Sequence, residues 1–212
     1  ERRHGTLCDR LTAVPDGLPQ RYCKAEQLAQ LVRFCSTSGT NQDTGQILEL
    51  GCGLCPLTRP VLVAPGAKAK VVWFDFSSVA VAHLREVYRG HLRRLRLVCA
   101  DVRNLAEHWE AMWRADPGLK PQFAAIFEKG LFDALAATPG GLEALEQLIG
   151  RLRGLLQPNG RLLFVTGAPQ ETRAHLFDPT DWELEWQSEP SGAAWKVGVA
   201  RRRDVAHDQA AK

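Results

Sequence analysis

Four acidic residues stand at the ends of four apolar segments that have the composition of buried strands. They are Glu49, Asp75, Asp101 and Glu128. Because ligands of an open α/β sheet bind outside the carboxyl ends of its strands, we expect these carboxylates to line one edge of a sheet. A single acid at such a place could equally cap the next helix and stabilise its dipole. The repetition over four successive segments favours a ligand site.

Two glycines interrupt the chain just after the first acid, at Gly51 and Gly53, with Cys52 between them. Glycine permits positive φ and lets a ligand lie against bare backbone. A strand, a glycine turn and a helix together form the first unit of a nucleotide-type binding fold. A glycine pair alone is weak evidence, so its interpretation depends on the segments that follow.

The second and third acids have neighbours that suit a nucleoside. Asp75 is placed to accept hydrogen bonds from a ribose diol, and Phe76 offers an apolar face beside a ring. Asp101, with the Val102 backbone, could take the edge of an adenine amino group. Ser77 is a suitable N-cap for the helix that follows. These residues predict a site for an adenosine-containing ligand.

The elements that must position these residues alternate between strands and helices, which predicts an α/β fold with a doubly wound sheet of about seven strands. Two segments near the end, 182–186 and 195–199, alternate with period two and predict a hairpin, so the sheet is mostly parallel with an antiparallel C-terminal hairpin. The predicted organisation is an arm and helix over 1–45, a main domain over 46–200 and a polar tail over 201–212. The predicted parallel strands are 46–50, 69–74, 95–100, 123–127 and 161–166, with helices over 57–64, 79–88, part of 103–121 and 141–156.

The composition excludes several classes of protein. With 212 residues and 45% hydrophobic content, the chain suits one well-packed domain. The net charge of +3 is too mild to argue nucleic-acid binding by itself, and no apolar run approaches a membrane span. Cys52 and Cys55 form a CxxC without a second pair, so we expect free thiols in a reducing compartment and no metal site. Cytoplasm is the expected location, with mitochondria as the alternative.

The segments 49–53, 75–77 and 101–102 resemble the successive motifs of class I S-adenosylmethionine-dependent methyltransferases, over about residues 46–200. The resemblance implies a Rossmann-like fold, S-adenosylmethionine as cofactor and S-adenosylhomocysteine as product. It also implies an aromatic lid, for which Tyr22 is the candidate. The cofactor-binding residues that it implies are Tyr22, Glu49, Gly51, Cys52, Gly53, Asp75, Phe76, Ser77, Asp101, Val102 and Glu128.

A narrower resemblance comes from residues 128–135, Glu-Lys-Gly-Leu-Phe-Asp-Ala-Leu. They are similar to the signature of the methyltransferase-like protein lysine methyltransferases, which include enzymes acting on elongation factor 1-alpha and on mitochondrial citrate synthase. This implies a protein substrate and transfer of methyl to a lysine amine. Glu128 and Asp133 become candidates for the acceptor side, and no catalytic residue is assigned. Leu131 stands where those enzymes usually have threonine.

Two alternatives remain open at this stage. Residues 75–78 are also similar to transfer-RNA cytosine methyltransferases, so the acceptor could be RNA or a small molecule, although nucleic acid is not favoured. Leu131 motivates the other alternative, a non-catalytic module that binds the cofactor without transferring methyl. The sequence indicates no membrane partner and leaves the oligomeric state unassigned.

Overall fold

A seven-stranded sheet forms the centre of the computed structural model, which describes residues 45–63, 68–187 and 195–203. Its strand order is β3-β2-β1-β4-β5-β7-β6. Strands β1 to β5 are parallel to one another, and β7 pairs antiparallel with both β5 and β6. The predicted mixed sheet and its C-terminal hairpin are therefore confirmed. The strands are β1 Gln46–Leu50, β2 Lys70–Asp75, β3 Leu95–Cys99, β4 Phe123–Lys129, β5 Leu156–Thr166, β6 Trp182–Trp186 and β7 Lys196–Arg202.

Helices cover both faces of this sheet. Apolar side chains of α3, α4 and α5 pack on one face around Leu50 and Phe164, while α1 and α2 pack on the other face around Trp73. This two-sided burial explains why the central strands read as nearly continuous apolar runs. Tyr22 and the helical pattern predicted within 1–45 lie outside the described residues. The helices are α1 Arg59–Val63, α2 Ser78–Val87, α3 Leu105–Ala115, α4 Leu131–Ala136, α5 Gly141–Leu155 and α6 Gln170–Ala174, with short 3-10 turns at Arg89–His91 and Val102–Asn104.

The start of the fifth strand differs from the prediction. The sequence predicts a tight turn at 158–160 followed by a strand from 161. In the structure β5 already begins at Leu156, and the turn is an irregularity within the strand, with Asn159 at a φ of 59°. The register with β4 shifts there, because Leu156 pairs with Phe123 and Arg161 pairs with Ala125. A proline-asparagine-glycine turn can thus be absorbed by a strand, as a bulge, when both flanks continue to pair.

Aromatic side chains pack around Phe164 where β5 meets the hairpin strands. Phe164 of β5 stacks on Phe177 at a centroid distance of 5.1 Å and meets Trp186 edge-on at 5.4 Å. Gly198 of β7 leaves room for this ring, since a Cβ there would lie within 2.1 Å of Phe164 Cζ. Within the described ranges, no helix has the length and apolar character needed to cross a bilayer.

Candidate functional site

The register of the sheet places the four strand-end acids at different heights. Glu49 lies one residue before Leu50, and Glu128 pairs directly with Leu50. Asp75 lies one residue beyond the β2 partner of Leu50, and Asp101 lies three beyond the corresponding β3 position. Glu49, Asp75 and Glu128 are all buried at this end of the sheet. Asp75 and Asp101 lie farther along the carboxyl edge than the other two, and Asp101 is partly exposed.

Glu49 fixes the loop that connects β1 to α1. Its Oε1 accepts a hydrogen bond from the Leu57 N–H at 2.6 Å. Its Oε2 accepts from the Thr58 N–H at 2.8 Å and from the Thr58 hydroxyl at 2.6 Å. The Thr58 oxygen also accepts from the Trp73 indole N–H at 2.7 Å. Burial raises the pKa of the Glu49 carboxyl, although these hydrogen bonds oppose the rise. Glu49 therefore acts on the site through the loop that it holds.

The two glycines of this loop share a backbone conformation but differ in what surrounds them. Gly51 and Gly53 both adopt positive φ, 61° and 54° respectively. A Cβ on Gly51 would lie 3.0 Å from the Leu131 Cβ, whereas a Cβ on Gly53 would meet no atom within 4 Å. Leu131, at the position where the resembling enzymes have threonine, thus forms an apolar wall directly beside Gly51. The backbone at Gly53 faces open space, which is where a ligand could lie against it.

Cys52, between the glycines, points into the protein. Its side chain is buried in the cluster around Trp73, and burial raises the pKa of its thiol far above the usual range. Cys55 is exposed, and both thiols are free, so the CxxC forms no disulfide. Among the residues that the structure describes, no cluster of three or more His, Cys, Asp or Glu side chains could hold a metal ion.

Asp75 connects the glycine loop to the start of α2. Its Oδ2 accepts from the Gly53 N–H at 2.8 Å, and its Oδ1 accepts from the Ser77 N–H at 2.8 Å. A carboxylate oxygen has two lone pairs, so each oxygen keeps one for a ligand hydroxyl. The Phe76 ring beside it is 78% exposed, as is most of Val79. Ser77 is the N-cap as predicted, because its hydroxyl accepts from the Ala80 N–H at 3.2 Å.

Asp101 lies beyond the end of β3 and is held by a residue that was not predicted to matter. The Arg103 side chain forks onto its carboxylate, with Nε at 2.9 Å and Nη2 at 2.5 Å from Oδ2. Hydrogen bonds from the Arg103 side chain and backbone lower the pKa of Asp101, against a smaller effect of burial. Val102 is buried in the core, so only its backbone is available to a ligand.

Glu128 is enclosed between β4, β5 and the start of α4. Its two oxygens accept from the Phe132 N–H and the Val165 N–H, each at 3.1 Å. Burial raises the pKa of this carboxyl to about 8, and the nearby charge of Asp133 adds to the rise. The sequence made Glu128 a candidate for the acceptor side. That role requires an exposed carboxyl, but the Glu128 side chain is fully buried. It holds the turn that carries Leu131, as Glu49 holds the glycine loop.

Asp133 belongs to a network that was not predicted from the sequence. Thr166 Oγ1 and Arg173 Nη2 each lie 2.5 Å from its Oδ1, and the Gly167 N–H donates to its Oδ2 at 2.6 Å. Arg173 is buried and also donates to the Thr166 oxygen at 3.2 Å. Burial alone would raise the pKa of Asp133, but these three donors hold it below its ordinary value. Thr166 is a polar residue at the end of β5, so a search for polar residues at strand ends, and not only for acids, would have found it.

One further contact connects the loop after β1 with the turn after β4. Lys129, the last residue of β4, donates from Nζ to the Cys55 carbonyl oxygen at 3.2 Å. Its positive charge also slightly opposes the raised pKa of Glu49. The turn after β4 and the glycine loop after β1 are thus joined across the strand end.

The site fits an adenosine-containing ligand with an extended polar chain. The open backbone at Gly53, the spare lone pairs of Asp75 and the exposed Phe76 ring are adjacent along the edge of β1 and β2. A dinucleotide would require a further phosphate-binding glycine, but position 56 holds a buried proline. The acceptor groups and surfaces present therefore match the cofactor predicted from the sequence.

Relatives of known function support the same class. The chain is 28% identical over 157 residues to EEF1A lysine methyltransferase 4 of Mus musculus, covering 69% of this chain and 56% of that protein. It is 30% identical over 129 residues to the mitochondrial citrate synthase-lysine N-methyltransferase of Pongo abelii, covering 56% of this chain and 49% of that protein. The chain spans about half the length of the curated relatives it matches. No protein-family model matches it.

Solved structures with the same fold include methyltransferases. The CurJ carbon methyltransferase aligns with a TM-score of 0.63 at 14% identity, over 85% of this chain and 54% of that chain. A putative methyltransferase of Streptococcus mutans, in complex with SAH, aligns with a TM-score of 0.59 at 14% identity, over 86% and 99%. The predicted fold and cofactor agree with these comparisons. The chain has the fold of the class I S-adenosylmethionine-dependent methyltransferases, and its sequence resembles the EEF1A and citrate synthase lysine methyltransferases.

Proposed function

We propose that this protein is an S-adenosylmethionine-dependent methyltransferase and that its acceptor is a lysine amine of a protein. The observation that carries the proposal is the Asp75 carboxylate, which joins the Gly53 and Ser77 backbones and retains a lone pair on each oxygen. The protein acceptor is supported by the likeness of residues 128–135 to the lysine methyltransferase signature and by the curated relatives.

The chain's own residues would bind and orient the cofactor. Asp75 would accept hydrogen bonds from the ribose hydroxyls, and Phe76 would offer an apolar surface to the adenine. Gly51 and Gly53 would let the methionine and ribose parts approach the backbone closely. When bound, S-adenosylmethionine would supply a methyl group from a positively charged sulfur. Methyl transfer depends chiefly on aligning donor and acceptor and excluding water, and these contacts would hold the donor in place.

The acceptor end of the site is apolar rather than acidic. Leu131 forms the wall beside Gly51, Glu128 is enclosed, and the Asp133 carboxylate is occupied by Arg173 and Thr166. A lysine amine must be neutral to accept a methyl group, and removal from water lowers the pKa of an amine. Leu131 therefore favours the reactive form of the acceptor by desolvation. No side chain needs the role of general base in this arrangement, and none is assigned one.

Isothermal titration calorimetry with S-adenosylmethionine and S-adenosylhomocysteine tests the cofactor. We expect the unaltered protein to bind both, and Asp75→Asn to weaken both by about 10- to 100-fold, because hydrogen bonds to a charged acceptor contribute about 1.5–3 kcal/mol. Asp178→Asn is the matched control, since Asp178 is an exposed aspartate that accepts hydrogen bonds from Thr180 before β6. Absence of binding by the unaltered protein would refute the proposal.

Transfer of a labelled methyl group to a cell lysate tests the acceptor. We expect label on a protein, sensitive to protease and resistant to ribonuclease, and mass spectrometry should locate it on a lysine. Label that ribonuclease removes would assign the acceptor to RNA. Cofactor binding without transfer to any component of the lysate would favour a non-catalytic module and contradict the enzyme proposal.

A further inference from the structure

The acid that follows the third strand is engaged at both carboxylate oxygens by one residue of its own chain. Asp101 Oδ1 accepts from the Arg103 N–H at 2.9 Å and from Arg103 Nε at 3.0 Å. Oδ2 accepts from Nε at 2.9 Å and from Nη2 at 2.5 Å. The single Nε–H is shared between the two oxygens, so three donor groups of one residue make all four contacts. An incoming donor therefore competes with the guanidinium for this carboxylate.

Asp75 provides a direct contrast within the same edge. Each of its oxygens accepts one backbone N–H and keeps a free lone pair. Its donors are backbone groups, which cannot leave without refolding the loop, whereas three of the four contacts to Asp101 come from a side chain that can rotate away. Asp75 is thus buried with fixed backbone partners and a spare lone pair on each oxygen, whereas Asp101 is more exposed and is held mainly by a side chain that can move.

The backbone of Arg103 is fixed while its side chain is free. Its carbonyl oxygen accepts from Arg151 Nη1 of α5 at 2.5 Å, and its N–H caps the 3-10 turn through Asp101. The side chains of Arg103 and Asp101 are 62% and 39% exposed, so water screens their attraction. An exposed ion pair of this kind opposes a competing ligand only weakly.

We propose that Arg103 gates the adenine end of the cofactor site, so that the adenine amino group binds Asp101 only after the guanidinium has released that carboxylate. This inference rests on the proposed function, because it assumes that the bound ligand carries adenine. The amino group is a donor and can replace a guanidinium N–H at the carboxylate. A purine with a 6-oxo group presents an acceptor instead, which Asp101 repels and Arg103 can bind. Arg103 thus lowers the affinity for adenine and reduces the difference in affinity between adenine and a 6-oxo purine.

Calorimetric titration of Arg103→Ala with two ligands tests the gate. The probes are S-adenosylhomocysteine and its 6-oxo analogue, S-inosylhomocysteine. We expect Arg103→Ala to bind S-adenosylhomocysteine about two- to fivefold more tightly than the unaltered protein does, in line with the weakness of exposed ion pairs. Binding of the 6-oxo analogue should stay the same or weaken. The Arg103 N–H and carbonyl contacts survive this substitution, so the turn is retained.

Arg114→Ala is the matched control, because Arg114 forms an equally exposed ion pair with Glu110 on the neighbouring α3 at 2.5 Å. It should change neither affinity. Unchanged or weaker binding of S-adenosylhomocysteine by Arg103→Ala would overturn the gate, as would an equal gain for both ligands. If the unaltered protein binds S-adenosylhomocysteine and only these differences fail, the proposed function stands without the gate. If it binds neither ligand, both are overturned.

Discussion

Replacing the enclosed Glu128 with glutamine should remove a large part of the pH dependence of folding stability. Burial raises the pKa of this carboxyl from its ordinary value of 4.5 to about 8. The folded protein therefore holds a proton at Glu128 that the unfolded chain has already lost. Stability from this group is fully present below a pH of about 4.5 and is lost as the pH rises to about 8 and beyond.

The size of the effect follows from the same two values. One pKa unit corresponds to about 1.4 kcal/mol, so a rise from 4.5 to about 8 sets an upper limit of about 5 kcal/mol between acidic and alkaline conditions. Glutamine does not titrate, so the variant lacks this loss. It keeps one carbonyl acceptor for two donors, the Phe132 and Val165 N–H groups, and so loses about 1–3 kcal/mol at every pH. The test is therefore how the difference in free energy of unfolding between the two proteins changes with pH, and not whether that difference is positive or negative.

Urea unfolding of Glu128→Gln and of the unaltered protein, at intervals from about pH 5 to about pH 9, measures that slope. As the pH rises across this range, the free energy of unfolding of the variant minus that of the unaltered protein should increase by several kcal/mol. Glu185→Gln, on the exposed side of β6, is the control and should follow the unaltered protein throughout. Parallel curves for Glu128→Gln would refute the assignment of a buried, protonated carboxyl.

Two further pairs of substitutions test the supports of the site. Gly51→Ala should cost about 1–2 kcal/mol of stability in urea unfolding and weaken S-adenosylhomocysteine binding, because φ is positive and the new Cβ would meet Leu131 at 3.0 Å. Gly53→Ala shares the positive φ but meets no atom, so its stability loss should be smaller; an equal loss would contradict the Leu131 contact. Arg173→Met should lower the free energy of unfolding by about 2–3 kcal/mol, since it leaves the half-buried Asp133 without its cation. Adding Asp133→Asn should restore part of this loss, and a further loss would contradict the coupling.

Strand and helix order could be predicted because it depends on local pattern. The apolar runs, the glycine turn and the Ser77 cap each act within a few residues, and each appears in the structure where it was predicted. The short helices α4 and α6 were not predicted. Each has six residues or fewer, too few for a helical repeat to show, and α4 begins after Gly130 at a φ of 74°. The early start of β5 was missed because a bulge is decided by pairing partners, which a single segment does not reveal.

The network around Asp133 was also beyond local pattern. Its members come from α4, from the end of β5 and from α6, so they meet only after the sheet has formed. Arg103 was missed for another reason. Its bond to Asp101 is local, two residues away, but a charged residue in a polar turn is usually solvated, and nothing in the spacing distinguishes the exception.

Register decides the face of the sheet and the height at which each strand-end acid lies. Residues paired across strands share a face, and successive residues alternate, so Glu49 and Asp75 lie on the face opposite to Leu50 while Glu128 shares its face. On the first face, Asp75 lies one residue beyond the β2 partner of Leu50 and accepts from the Gly53 N–H, while Glu49 holds the loop that follows Gly53. On the second face Glu128 stops level with Leu50, where α4 covers it. Leu131 is the residue whose side chain lies beside Gly51, and in the proposed function it would act on the acceptor amine by desolvation.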